Sequence, residues 1–151
     1  YDLLNMKSRN VPEVDALSGK KNMLAVSEAI NEGWVQSCHD LSEGGLAVAA
    51  AEMAFAGDIG MDIELSDVPF TSINEKQDNT ILFSESNSRF LIEVKPEHKE
   101  QFEESVAKCT FGLIAKTTRE KRLKVIGLSK EIIINESLSK LKSAWQNTLN
   151  W

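Results

Sequence analysis

The sequence contains few residues of the kinds that mark special classes of protein. Of its 151 residues only two are cysteine, three are proline and one is tyrosine, and aromatic residues make up 7%. No apolar run approaches the ~20 residues that span a bilayer, so we expect no transmembrane segment and no membrane partner. The two cysteines, Cys38 and Cys109, lie in apolar surroundings and outside any C-x-x-C spacing. This pattern predicts reduced, buried thiols in a cytoplasmic protein, without a disulfide or a metal site.

Positive charge is also scarce. Lys and Arg number 17 against 23 Asp and Glu, which gives a net charge of −6 and a pI near 5.0. An acidic chain with scattered lysines argues against a nucleic-acid partner, and we interpret the basic stretch 119–122 as an exposed turn. The sequence begins at Tyr1 with neither an initiator Met nor a signal-peptide pattern, so we expect it to be a piece of a longer polypeptide.

The remaining composition is that of a globular domain. Hydrophobic residues make up 42% of the chain. A chain of this length buries roughly two thirds of its unfolded surface and needs no disulfide or metal for stability. No internal repeat, linker or low-complexity tract interrupts it, so we predict a single domain over residues 1–151.

Hydrophobic periodicity predicts a mixture of helices and strands. The predicted helices cover residues 18–32, 46–55, 96–108 and 138–149, and the predicted strands cover 34–40, 61–65, 80–83, 89–94, 113–117, 121–126 and 132–134. We expect Met23, Val26 and Ile30 to form the buried face of the first helix. The strands at 113–117 and 121–126 are expected to form a hairpin.

Paired strands interleaved with helices indicate the α+β class, with a mixed, largely antiparallel sheet and packed helices. We expect Trp34 and Trp145 to lie in the core, and Pro12 to give the chain an extended entry.

The most informative segment is 39–46, in which a predicted strand turns through two glycines into an alanine-rich helix. Such a turn leaves backbone N–H groups unpaired at the positive end of the helix, where a phosphate or carboxylate binds without any lysine. Gly44 and Gly45 permit close approach of the backbone. The turn is therefore a candidate anion site, although strand–Gly-Gly–helix turns are common and weakly specific.

The polar side chains of the same turn leave a second interpretation open. Ser42 is able either to cap the helix or to donate to an anion. Asp40 and Glu43 are acidic and suit a ligand that brings a metal or a cationic group. In the alternative interpretation Ser42 only caps the helix, while His39 and Asp40 end the strand with local hydrogen bonds.

A second polar segment, 84–89, separates two apolar runs. Arg89 closes the interruption, and arginine binds carboxylates and phosphates through two parallel hydrogen bonds. Glu85 is placed to hold a partner or to orient that arginine. The alternative is a solvated hairpin loop with a weak surface ion pair. No Ser/His/Asp order, H-E-x-x-H pair or P-loop is present, so we assign no catalytic or metal-ligating residue.

Together, the two segments resemble the C-terminal-type domain of the aminoimidazole ribonucleotide (AIR) synthetase superfamily, and within it that of phosphoribosylformylglycinamidine synthases. Those domains carry His-Asp-x-Ser-x-Gly-Gly-Leu, then an alanine-rich helix with Ala-Glu-Met-Ala, then Phe-Ser-Glu-Ser-x-Ser-Arg-Phe. Residues 39–46, 51–54 and 83–90 match these patterns in that order, and the entry at 11–15 is also similar.

The resemblance implies an AIR-synthase C-terminal-domain-like sandwich within an ATP-dependent C–N ligase of purine biosynthesis. Such a ligase converts formylglycinamide ribonucleotide (FGAR) and ammonia from glutamine into formylglycinamidine ribonucleotide. The resemblance implies ATP and Mg²⁺ as cofactors, held mainly by ATP-binding domains of the same polypeptide, and a separate glutaminase subunit as a partner. The chain on its own is expected to be inactive.

The resemblance also implies roles for particular residues. The residues expected to face a phosphorylated small-molecule substrate are His39, Asp40, Ser42, Glu43, Gly44 and Gly45. Those expected to line or brace the same cleft are Glu85, Ser86, Ser88 and Arg89. On this basis Gly45→Val is expected to weaken substrate use more than folding.

Two alternatives to this function remain. One is the C-terminal domain of another member of the superfamily, such as an AIR synthetase, a selenophosphate synthetase or a hydrogenase-maturation protein. The other is a non-catalytic docking module in which the glycine turn is only a helix cap.

Overall fold

The computed structural model describes residues 13–70 and 77–147. The helices in these ranges are α1 (Ala16–Asn31), α2 (Gly45–Gly57), α3 (Asp78–Phe83), α4 (Lys99–Ser105) and α5 (Leu138–Asn147). The strands are β1 (Val35–Asp40), β2 (Gly60–Glu64), β3 (Phe90–Val94), β4 (Ala115–Thr118), β5 (Arg122–Ile126) and β6 (Ile132–Ser137). None of these helices is long and apolar enough to cross a membrane. The predictions for Pro12 and for residues 148–149 lie outside the described residues.

A four-stranded sheet and helix α2 form the core. The strand order is β4-β2-β5-β6, with β2 antiparallel to β4 and parallel to β5, and β5 antiparallel to β6. Ile63 on β2 and Val125 on β5 are paired in register and fully buried. They join the buried alanines of α2, among them Ala50, in one hydrophobic cluster. Since alanine has a small side chain, α2 packs closely on the sheet and is buried on most of its faces.

A second, two-stranded sheet positions the two polar segments. β1 and β3 pair antiparallel, with His39 opposite Leu91 and Asp40 opposite Phe90. The end of β1 therefore lies beside the start of β3. Because one polar segment follows β1 and the other precedes β3, this register brings them to the same edge of the sheet.

The α+β class is confirmed. Of the four pairs of adjacent strands in the two sheets, three are antiparallel and one is parallel, and helices pack over them. The strand predicted at 80–83 is wrong, because these residues belong to α3. Ile81 and Leu82 are buried beside α2. A short apolar run has no periodicity that separates a buried helix from a strand, so packing decides its conformation.

The hairpin predicted at 113–126 is also wrong. β4 and β5 exist, but β2 lies between them and pairs with both. The connection from β4 to β5 crosses the start of β2 at Gly60, where an added Cβ would collide with the Glu120 carbonyl oxygen. A glycine at this position makes the crossing possible, and nothing local in the sequence distinguishes it from a hairpin turn.

Several burial predictions need correction. Met23 and Ile30 are 56% and 49% exposed, since α1 packs through its small residues. Gly19 and Ala29 are the buried residues of α1. Trp145, predicted in the core, is half exposed because it lies on the outer part of α5.

The remaining core predictions hold only in part. Trp34 is half-buried. Cys38 is exposed, because alternate residues of β1 face outward, and Cys109 is half-buried.

Candidate functional site

The turn between β1 and α2 (residues 40–45, the glycine turn) owes its shape to two consecutive glycines. Gly44 has φ 74° and Gly45 has φ 60°, a left-handed conformation that glycine adopts without strain. The Gly45 N–H donates to the Ser42 carbonyl oxygen at 3.1 Å. The Ser42 hydroxyl donates to the Asp40 carboxylate, so it does not cap α2. Gly44 is the residue at the cap position, so the alternative in which the Ser42 side chain caps α2 is wrong.

The loop between α3 and β3 (residues 84–89, the serine loop) lies directly against the glycine turn. The Gly44 N–H donates to Glu85 Oε1 at 3.0 Å, so a carboxylate of the protein sits at the positive end of α2. A Cβ added at Gly45 would lie 2.5 Å from the Ser84 carbonyl oxygen and 2.8 Å from that of Leu82. The two segments predicted to share a cleft are therefore in contact. The close approach that Gly45 permits is to the chain's own backbone.

Arg89 holds the serine loop in shape. Its Nε donates to the Ser86 carbonyl oxygen at 3.1 Å, and its Nη2 donates to the Ser84 carbonyl oxygen. Burial lowers the pKa of Arg89 from its usual high value. The guanidinium therefore braces the loop through backbone carbonyls, whereas the sequence suggested a grip on Glu85 or on a ligand.

Ser88 connects the serine loop to the first helix. It adopts φ 61°, and its carbonyl oxygen accepts from Asn22 Nδ2 at 3.1 Å. A Cβ at Gly19 would lie 2.7 Å from the Ser88 hydroxyl oxygen, so α1 lies close over the loop. The hydroxyls of Ser84 and Ser86 lie 2.9 Å apart. The serine loop is thus fixed by hydrogen bonds within the loop and by its contacts with α1.

The glycine turn and the serine loop meet at a surface that we call the junction, and its outward side is polar and acidic. Asp40, Ser42, Glu43, Glu85 and Ser86 are all exposed. The hydrogen bond from Ser42 is the main reason that the pKa of Asp40 is lowered. Carboxylates accept hydrogen bonds and repel a bare phosphate, so this surface suits a ligand that offers hydroxyl or N–H donors, or whose phosphate brings its own cation.

His39 faces away from this surface, toward α2 and α5. Its Nε2 lies 2.9 Å from Glu52 Oε2, and its Nδ1 lies 2.6 Å from the Asp40 carbonyl oxygen. Trp145 Nε1 donates to Glu52 Oε1 at 2.7 Å. Sequence reasoning assigned no role to Glu52 and only a place in the core to Trp145. A signal was present for Glu52, because it is the one charged residue in the apolar run 46–55 and a charge in such a helix requires a partner.

Two hollows flank the junction. A cavity of about 370 Å³ lies beside Arg89 and is lined by residues that include Leu41, Leu46 and Ser88. A groove of about 1030 Å³ contains His39, Glu52 and Trp145 among its lining residues. Within ranges 13–70 and 77–147, no group of three or more His, Cys, Asp or Glu side chains is placed to hold a metal ion.

Comparisons with known proteins agree with this architecture. The family model described as "AIR synthase related protein, C-terminal domain" matches residues 2–127. Phosphoribosylformylglycinamidine synthase subunit PurL of Alkaliphilus metalliredigens is 34% identical over 142 residues, which cover 92% of this chain. The chain spans only 18% of the length of that relative.

Solved structures show the same fold. Thermotoga maritima PurL complexed with FGAR matches with a TM-score of 0.78 and 23% identity, over 93% of this chain and 24% of that chain. Thermotoga maritima PurL complexed with ATP matches with a TM-score of 0.71 and 25% identity, over 81% of this chain and 21% of that chain.

Proposed function

Since this chain belongs to the AIR synthase related protein, C-terminal domain family, we propose that it serves as that domain in an ATP-dependent C–N ligase. The reaction proposed is that of phosphoribosylformylglycinamidine synthases, which belongs to purine biosynthesis in the cytoplasm. ATP phosphorylates the amide oxygen of FGAR, and ammonia then displaces that oxygen as phosphate, which leaves ADP and formylglycinamidine ribonucleotide. The support is the similarity to PurL over 92% of the chain.

The observation that carries the proposed site is the contact between the glycine turn and the serine loop. Glu85 and Gly44 are 41 residues apart in sequence and are joined by a hydrogen bond of 3.0 Å. The junction exposes its carboxylates and hydroxyls on one side and keeps its backbone fixed on the other. Asp40, Ser42 and Glu43 are the groups that we assign to the ligand.

The remaining site residues build the surface on which these groups stand. Gly44 and Gly45 form the turn and Glu85 occupies the Gly44 amide, while Arg89 and Ser88 hold the serine loop. The carboxylates of Asp40 and Glu43 would accept hydrogen bonds from ribose hydroxyls or amide N–H groups of a phosphorylated substrate. In this arrangement the chain binds and orients the substrate and supplies no nucleophile.

ATP and Mg²⁺ would be held by other parts of the enzyme. The described residues offer no metal cluster, and the exposed side of the junction repels an uncompensated phosphate. We therefore propose ATP-binding domains of the same polypeptide as the neighbours of this surface, and a separate glutaminase subunit as the source of ammonia.

The test is an assay of the complete product of the gene that encodes this chain. FGAR, ATP and ammonia should yield ADP, phosphate and formylglycinamidine ribonucleotide. Glu43→Gln should raise KM for FGAR about tenfold and leave kcat nearly unchanged, because the residue acts in binding. Glu103→Gln, which changes an exposed ion pair with Lys99, is the matched control and should leave both constants unchanged. Absence of the reaction, or equal behaviour of the two variants, would contradict the proposal.

One observation favours a second candidate, the non-catalytic docking module. The Gly44 and Gly45 amides are both satisfied within the chain, as a purely structural cap requires. A docking module would assemble with the same neighbours, but Glu43→Gln would change neither substrate binding nor turnover. The kinetic comparison above separates the two.

A further inference from the structure

Glu52 connects three elements of the fold through its two carboxylate oxygens. It is half-buried on α2. Its Oε2 lies 2.9 Å from Nε2 of His39 on β1, and its Oε1 accepts from Nε1 of Trp145 on α5 at 2.7 Å. The ring of Trp145 also packs on Phe55, with ring centroids 5.8 Å apart. Helix α5 is thereby joined to the strand from which the glycine turn begins.

Both ring nitrogens of His39 face acceptors. Nδ1 lies 2.6 Å from the Asp40 carbonyl oxygen, which has no proton to donate. Nε2 faces the Glu52 carboxylate, which when ionised also accepts only. A neutral imidazole has one N–H and satisfies one of these contacts. Both are satisfied when the imidazole carries two protons.

The other ionisable groups near the His39–Glu52 pair do not take the place of Glu52 opposite His39 Nε2. Asp40 Oδ1 lies 3.6 Å from His39 Nδ1, and Glu93 is engaged by the Ser37 hydroxyl at 2.8 Å. The titratable or charged side chains that line the groove are Cys38, His39, Glu52, Glu93 and Lys95. The groove residues from β2, β4 and α5 are uncharged: Met61, Thr117 and Trp145.

We propose that Glu52 is a positioning residue of the site. It holds His39 as an imidazolium whose Nδ1–H fixes the Asp40 carbonyl at the start of the glycine turn, and through Trp145 it couples α5 to the same point. The charge of His39 and the docking of α5 both depend on this one carboxylate. The role rests on the proposed function, because it matters to a substrate only if the glycine turn faces one.

Glu52→Gln removes the negative charge of the side chain but keeps its hydrogen bonds to His39 and Trp145. The glutamine oxygen accepts from Trp145, and its amide N–H donates to Nε2 of a neutral His39 whose Nδ1–H still bonds Asp40. Every hydrogen bond is kept, and the need for the second proton on His39 disappears. Glu93→Gln removes the same charge from the same groove without touching His39, so it is the matched control.

The measurement is the ¹⁵N chemical shift of the His39 ring nitrogens at pH 7 in the 151-residue chain, with His98→Gln to remove the other histidine. His39 should be mostly doubly protonated with Glu52 present. The ratio of charged to neutral His39 should fall at least tenfold in Glu52→Gln and less than twofold in Glu93→Gln. A neutral His39 with Glu52 present, or equal changes in the two variants, would overturn the proposal.

Two further readouts test the coupling. Glu52→Ala breaks both contacts, so the indole N–H of Trp145 should exchange with solvent at least tenfold faster, whereas Glu52→Gln should leave this rate within twofold. In the complete gene product, Glu52→Ala should raise KM for FGAR at least threefold, whereas Glu52→Gln, which keeps the hydrogen bonds, and Glu93→Gln should not. An unchanged indole rate or an unchanged KM in Glu52→Ala would refute the positioning role. Absence of any FGAR turnover in the wild type would instead refute the proposed function, with the ¹⁵N result unaffected.

Discussion

At the scale of single residues, Ser42 shapes the site through Asp40. Its hydroxyl donates to the carboxylate of a residue that is itself exposed, and this bond is the main cause of the lowered pKa of Asp40. A lowered folded-state pKa means that ionised Asp40 favours the folded state at pH values above its unfolded value, near 3.9. That contribution is lost as the pH falls through the folded-state pKa.

Ser42→Ala should therefore raise the pKa of Asp40 toward the ordinary aspartate value. The removed hydroxyl is the first cause of the shift, and the Asp40 backbone and His39 contribute less. The measurement is an NMR titration of the Asp40 carboxyl carbon between pH 2 and 6. Ser37→Ala, which removes a hydroxyl that donates to Glu93, is the control and should leave the Asp40 curve in place. An unchanged midpoint in Ser42→Ala would show that the hydroxyl does not stabilise the carboxylate.

Residue types were easier to predict from the sequence than residue partners. The strand, the glycines and the polar loop were all recognisable, and so was the presence of an arginine with a structural or binding task. Local sequence did not show that the Ser42 hydroxyl donates to Asp40, that Glu85 accepts from the Gly44 amide or that Arg89 donates to backbone carbonyls. These pairs depend on which acceptor lies within about 3 Å after folding, and that distance is set by contacts across the sheet.

At the scale of elements, the junction of α2 with the serine loop depends on Gly45. Its positive φ strains any other residue, and a Cβ there would also press on two backbone oxygens, of Ser84 and Leu82. Backbone atoms cannot rotate away as a side chain does. The expectation that Gly45→Val spares folding is therefore replaced by a folding defect.

Gly45→Ala should lower the free energy of unfolding by about 3 kcal/mol or more, from the left-handed backbone and the steric conflict together. Gly33→Ala is the matched control. Gly33 has φ 76° and no atom within 4 Å of an added Cβ, so only the backbone strain of about 1–2 kcal/mol applies. Urea unfolding followed by circular dichroism compares the two. Equal losses would show that Gly45 does not pack against the serine loop.

The elements themselves were predicted well where periodicity was long. α1 and α2 are helices close to the predicted ranges, and β2 alternates between buried and partly exposed residues. The failures were short or non-local. α3 is a six-residue helix whose apolar end, residues 81–83, gave no helical periodicity, and the supposed hairpin is split by β2 because Gly60 lets the chain cross.

At the scale of the whole molecule, the register of β1 against β3 makes the site. It places residues 40–45 and 84–89 side by side, although about 40 residues separate them in sequence. Hydrophobic periodicity does not show which strands pair with each other. The matched family motifs supplied that information, because they indicated that both segments belong to one cleft.

The most direct test of the ligand-facing junction is a ¹H–¹⁵N NMR titration of the 151-residue chain with FGAR, with adenosine monophosphate as the control ribonucleotide. The account predicts that FGAR shifts the backbone amides of residues 40–45 and 84–89 more than all others, and that the control shifts them less. No shifts with FGAR, or shifts centred elsewhere on the chain, would contradict it.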